Sequence, residues 1–260
     1  MTSFGTQLLY AVLGGLIPAL VWLFFWLRED IHPEPKRLIF KAFLAGGIAI
    51  PFALFAESFF YCINAFLFFP PNESTLCAIN HPPLAAFASI ANLFLIVTFA
   101  ATEEYVKYKS AKKLVLKGRD FDEPVDAMIY LITVSLGFAA FENMLFLLPA
   151  FGASVFEGLI VGNLRFLGAT LLHAVSSGIV GYMIALSFYT PEHRKSYTWW
   201  GLVLATILHA IFNVLVMSED ISSDGISQTL GVLVLTGVVL IFAFDKVKKL
   251  RKFQRVTNNL

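Results

Sequence analysis

Seven stretches of this 260-residue chain stay apolar for about the length a helix needs to cross a bilayer. A hydrocarbon core of ~30 Å takes about 20 helical residues at ~1.5 Å each. The stretches lie near residues 6–27, 38–61, 88–109, 125–148, 165–189, 198–218 and 229–244, the last being short. Hydrophobic residues make up 58% of the chain and charged residues 14%, and the mean hydropathy is +0.75. These values exclude a soluble globule, a disordered chain and a coiled coil. The expected fold is an all-α polytopic membrane protein with about seven transmembrane helices. It is expected to form a single transmembrane domain over residues 1–260, with its motif-bearing core at about 88–218. The first stretch is not read as a signal peptide. It lacks a basic leader and a small-residue cleavage site, and Arg28-Glu29-Asp30 follows it directly.

Basic residues set the expected orientation. Of the 19 Lys and Arg, all but Arg165 fall in the first, third and fifth connections, at their edges, or in the C-terminal tail. The positive-inside rule then places the N-terminus outside and the C-terminus in the cytoplasm. A net charge of +1 gives no reason to expect a nucleic-acid partner. Two cysteines exclude a disulfide scaffold and a cysteine-built metal site. Cys62 and Cys77 both fall on the expected outer side, where a disulfide between them and two free thiols stay open as alternatives. Asn72-Glu73-Ser74 forms a glycosylation sequon, a triplet that arises often by chance. No inverted repeat of the transporter type is present.

A charged group at bilayer depth costs several kcal/mol or more and is a functional candidate for that reason. The candidates are Glu57, Glu103, Glu104, Glu142, His173 and His209, with Lys107 and Arg165 nearer the interfaces. Glu57 reads as interfacial. Lys107 follows Glu103 by four residues and Glu104 by three, so it can pair with either. That pairing suits an interfacial salt bridge, and equally a water-activating carboxylate tuned by its neighbours. Glu142 has no basic residue within a turn or two. It is either protonated or matched by a cation from another helix. Arg165 precedes His173 by eight residues and is expected on roughly the same helix face. His209 and Asn213 share a face. Counted from the expected helix ends, Glu103, Glu142, His173 and His209 lie within ~10 Å of one another in depth.

Two imidazoles, one or more carboxylates and a spare glutamate are the parts of a metal hydrolase. Catalytic zinc takes three N or O ligands and keeps one position for water. The H-E-x-x-H motif of soluble zinc proteases is absent, so the groups must converge from four helices. A metal-free variant uses glutamate to activate water, with His209 and Asn213 stabilising the oxyanion. A proton-coupled transporter or channel using the same Glu and His groups as a relay is the rival reading, and a non-catalytic membrane scaffold is a third.

Four motifs on separate segments carry a family resemblance. They are Glu103-Glu104-x-x-Lys107, Gly137-Phe-x-x-Phe141-Glu142-Asn143, Arg165 with His173-Ala and Gly181-Tyr182, and His209-Ala-x-x-Asn213. Over about 100–215 the chain resembles the PrsW-type intramembrane proteases, a group related to the CAAX prenyl endopeptidases and bacteriocin-processing enzymes. It departs at Phe146, where the family's second motif usually ends in Tyr. The resemblance implies an endopeptidase of the bacterial cytoplasmic (inner) membrane that cuts a membrane-anchored protein, such as an anti-sigma factor, in regulated intramembrane proteolysis. It also implies Glu103 as the water-activating base, with Glu104 as helper and Asn213 completing the catalytic set. Glu142, His173 and His209 are the expected ligands of a divalent metal, zinc by donor type.

Overall fold

The computed structural model describes residues 3–68, 90–116, 118–217 and 223–257. Among these residues it is helical, with no strand. The helices are α1 (Phe4–Leu27), α2 (Lys36–Phe68), α3 (Ile90–Leu114), α4 (Pro124–Ala153), α5 (Val155–Leu167), α6 (Ala169–Leu186), α7 (Arg194–Met217) and α8 (Ser223–Thr257). A short 3-10 turn over Pro191–His193 leads into α7. Helices are the expected outcome, because lipid offers the backbone no hydrogen-bond partners.

Five helical runs are long and apolar enough to cross a membrane: Phe4–Leu27, Lys36–Phe68, Pro124–Ala153, Val155–Leu186 and Pro191–Val216. They coincide with five of the seven expected segments. The other two are helical as well, as α3 and α8, but neither is among those runs. In α3, Glu103, Glu104 and Lys107 interrupt the apolar stretch, and the short apolar run of α8 ends at Asp245-Lys246. Cys62 is disulfide-bonded. Cys77 and the Asn72 sequon lie outside the described residues.

Helix α4 is the centre of the bundle. Every residue from Pro124 to Ala140 is buried, so its apolar side chains face protein on all sides rather than one. Helices α1, α2, α5 and α6 pack around it, α3 lies between α2 and α7, and α8 packs on α6. Two glycines bring α2 and α4 into backbone contact. A Cβ on Gly46 would strike the Val134 carbonyl and the Phe138 nitrogen, and a Cβ on Gly137 would strike the Phe43 carbonyl. Small residues at such crossings let membrane helices approach closely.

The basic connections share one face of the bundle. Lys248 on α8 lies 2.7 Å from Glu29 after α1. His32 lies 3.4 Å from Glu123 before α4. Phe121 packs edge-on against Phe188 at 5.3 Å, and the Arg194 guanidinium covers the Phe121 ring at 5.7 Å.

The expected segment at 165–189 differs in one respect. Arg165 lies in the last turn of α5, and Gly168 (φ −94°, ψ −84°) breaks the helix before α6 begins. Arg165 is therefore not two turns below His173 on one face. The turn at Gly168 aims it at α4 instead.

Gly137→Val should lower stability by about 1–3 kcal/mol or more, because the new side chain meets backbone that cannot move aside. Gly231→Ala is the control, since nothing lies within 4 Å of its added Cβ, and it should leave stability unchanged or slightly raised. Thermal unfolding in detergent reads both.

Candidate active site

Helices α3, α4, α5, α6 and α7 bring seven ionisable groups of the four sequence motifs, Glu103, Glu104, Lys107, Glu142, Arg165, His173 and His209, into one cluster. Helix α3 turns its polar face inward, and Glu103, Glu104 and Lys107 are all buried. Lys107 was expected near an interface, yet it is 0% exposed. Its Nζ donates to Glu104 Oε1 at 2.7 Å and to His173 Nδ1 at 2.9 Å, and stands over the Phe138 ring at 5.0 Å. A long side chain can sit there because each hydrogen of the ammonium faces an acceptor or an aromatic face.

Glu104 is saturated by partners. Its Oε1 also accepts from Ser176 Oγ and from His209 Nδ1, both at 2.9 Å. Its Oε2 takes the Ser177 hydroxyl at 3.4 Å. A carboxylate in an apolar bundle needs this density of donors to offset its lost hydration.

Glu142 finds its cation on another helix. Arg165 Nη2 donates to Glu142 Oε2, and Arg165 Nε donates to Asn143 Oδ1. Asn143 Nδ2 in turn donates to Thr170 Oγ1 at 2.9 Å, and the Thr170 hydroxyl donates to the Arg165 carbonyl. The guanidinium lies over Phe146 at 4.0 Å. This departure from Tyr therefore keeps an aromatic face for the arginine. Glu142 Oε2 is also 3.1 Å from His173 Nε2.

These partners fix both imidazoles. His173 gives its Nε2–H to Glu142 and keeps the Nδ1 lone pair, which Lys107 engages. His209 gives its Nδ1–H to Glu104 and keeps the Nε2 lone pair. The rings stand at 85° with centroids 5.2 Å apart. The two lone-pair nitrogens face a common third atom, Glu103 Oε2, at 3.9 Å each. That oxygen is buried and has no hydrogen-bond partner.

Glu103, His173 and His209 thus each present one atom within 4.8 Å of the others, close enough to hold a metal ion. The donor set fits such an ion on two further counts. An unbonded buried carboxylate oxygen is costly unless something completes it. Within the cluster, three carboxylates (Glu103, Glu104, Glu142) face two permanent cations (Lys107, Arg165), and Glu103 has the longest ion pair of the three. Lys107 Nζ stands 3.9 Å from it.

All four groups expected to meet in depth do meet, but the candidate ligand group is Glu103, His173 and His209 and not the expected Glu142, His173 and His209. Glu142 stands one hydrogen bond behind His173, and Glu104 stands one behind His209. Asn213 lies one turn beyond His209 on α7 and is half-buried. Ser176 and Ser177 were not among the residues the sequence singled out. Their hydroxyls at three and four residues after His173 were the available sign that they serve the same site. Phe138, Asn143 and Thr170 were also missed as partners of charged groups.

A family model described as "PrsW family intramembrane metalloprotease" matches residues 34–244. The curated "Protease PrsW" of Geobacillus kaustophilus is 27% identical over 208 residues, 80% of this chain and 80% of that protein. The one from Shouchella clausii is 24% identical over 243 residues, 93% of this chain and 97% of that protein. The Bacillus subtilis protein of the same name is 22% identical over 211 residues, 79% and 82% of the two chains. No solved structure matches.

Lys107→Met should be among the most damaging single changes to stability. Removing one partner of a buried pair leaves the other charge uncompensated, at a cost of about 3–5 kcal/mol. Lys248→Met removes a partly exposed pair and should cost at most about 1 kcal/mol. Equal losses in denaturant unfolding of the two variants would contradict the buried arrangement.

Proposed function

The chain belongs to the PrsW family of intramembrane metalloproteases, and from that premise we propose that it cleaves a membrane-anchored protein at the pocket of Glu103, His173 and His209. The observation that carries this reading is the unbonded Glu103 Oε2 opposite a lone-pair nitrogen of each imidazole. These three residues would hold a divalent cation, with Lys107 giving up the His173 Nδ1 lone pair to the ion, and two imidazoles with one carboxylate suit zinc. Such an ion, when bound, lowers the pKa of water and polarises the scissile carbonyl.

The chain's own groups have separate tasks. Glu103 takes a proton from the attacking water and returns it to the leaving amine. A carboxylate has two oxygens, so it can serve a cation through one and water through the other. Glu142 and Glu104 orient His173 and His209 through their second nitrogens, as carboxylates behind metal-bound histidines do. Lys107 and Arg165 keep those two carboxylates charged and in place. Asn213 offers an amide N–H to the developing oxyanion. The surrounding apolar helices keep bulk water from the reacting centre. A proton relay would draw on the same groups but would not need two imidazoles trained on one oxygen.

The quoted relatives come from bacteria, which supports a place in the bacterial cytoplasmic membrane, and the basic connections support an orientation with the N-terminus out and the C-terminus in. A membrane-anchored anti-sigma factor is the substrate type proposed.

Glu103→Gln keeps the side chain's shape but cannot accept a proton. Cleavage of a membrane-anchored substrate by the purified variant should fall by about two to four decades. Turnover at the wild-type rate would remove Glu103 from the chemistry. Elemental analysis of the same variant separates its two tasks: metal retained marks a proton acceptor, metal lost marks a donor. His173→Ala and His209→Ala should both lose metal.

A further inference from the structure

A second group of acidic side chains lies outside the bundle interior, on the face that gathers the basic connections. Glu34 in the α1–α2 connection, Asp122 before α4 and Asp126 in its first turn each present an oxygen within 4.8 Å of the others. The backbone is built to present them. Asp30 accepts from the amides of His32 and Glu34 at 2.9 and 3.2 Å, which folds the connection back. Asp126 Oδ2 accepts from the amides of Asp122 and Glu123 at 3.0 and 2.7 Å, which caps α4. The Tyr130 hydroxyl, one turn further along α4, donates to Glu34 Oε2.

Two observations separate this group from ordinary solvated loop charges. Asp126 is 1% exposed, and its remaining oxygen, Oδ1, is buried with no hydrogen-bond partner. Among the described residues, no lysine or arginine pairs with Glu34, Asp122 or Asp126, although Arg28, Lys36, Arg37 and Arg119 are all close in sequence. Burial raises the Glu34 pKa above its ordinary value, and its hydrogen bonds with Tyr130 and Asp126 offset only part of that, so a cation here would take the place of a proton held between the two carboxyls.

We propose that Glu34, Asp122 and Asp126 form a binding site for a hard divalent cation that fastens the α1–α2 connection to the start of α4. The donors are all oxygen, which suits calcium or magnesium and disfavours zinc. Asp126 Oδ1 supplies the buried donor, Glu34 and Asp122 supply the outer ones, and water fills the remaining positions. A cation here ties down the loop between two helices that pack on each other, and α4 carries Glu142. The site stands on geometry separate from the Glu103 pocket, so it is independent of the protease reading.

The test is thermal unfolding of the purified full-length protein in detergent, titrated with calcium chloride and, separately, magnesium chloride after chelator treatment. Wild type should gain roughly 5 °C in Tm at saturation with one of the two ions. Glu34→Gln and Asp122→Asn should each weaken the half-saturating concentration at least tenfold. Both are outer donors that leave the α4 cap intact, so neither depends on Asp126 surviving replacement. Glu103→Gln and His209→Ala should keep the full response, which assigns it to this site and not to the pocket in the bundle. No rise with either ion would overturn the proposal, and so would an undiminished rise in the Glu34→Gln, Asp122→Asn double variant.

Discussion

The ion pair between Lys107 and Glu104 is the interaction on which the site depends. Two charges at the centre of an apolar bundle are tolerable only if every donor and acceptor has a partner. That demand recruits groups from two further helices. Glu104 draws Ser176 and Ser177 from α6 and His209 from α7, and Lys107 draws His173. The same bonds that neutralise the pair therefore orient both imidazoles. The geometry of the proposed site and its charge compensation are one network here, and its cost in folding free energy is carried by the close packing around α4.

The second ion pair repeats the logic one layer away. Arg165 matches Glu142, Asn143 and Phe146 hold the guanidinium, and Thr170 holds Asn143 in turn. Glu142 then fixes the far nitrogen of His173. Each imidazole is thus clamped by a carboxylate that has its own cation, while Glu103 between them has none within 3.5 Å. An unfinished acidic group among finished ones is what a hydrolytic centre requires, because it leaves room for a cation, a water and a substrate carbonyl.

Much of this was legible in the sequence. Charged and imidazole side chains are so few in the apolar segments that each stood out, and counting rises along the helices brought four of them to a common depth. The shared face of the basic connections was also readable, from the clustering of Lys and Arg. What escaped depended on tertiary placement. The break at Gly168 redirects Arg165, and no local pattern distinguishes that glycine from the packing glycines of α6. The burial of Lys107 follows from which face α3 turns inward, and its weakly periodic composition does not say. Glu34, Asp122 and Asp126 did not stand out, because the chain brings them together across some ninety residues.

X-ray absorption spectroscopy at the zinc edge on the purified, cleavage-competent protein tests most directly whether Glu103, His173 and His209 form one centre. The expected result is one metal per chain with two imidazoles and light oxygen donors in its first shell, and a shell reduced by one imidazole in whatever metal His209→Ala retains. An active preparation with no stoichiometric metal, or a bound metal without imidazole scattering, would contradict it.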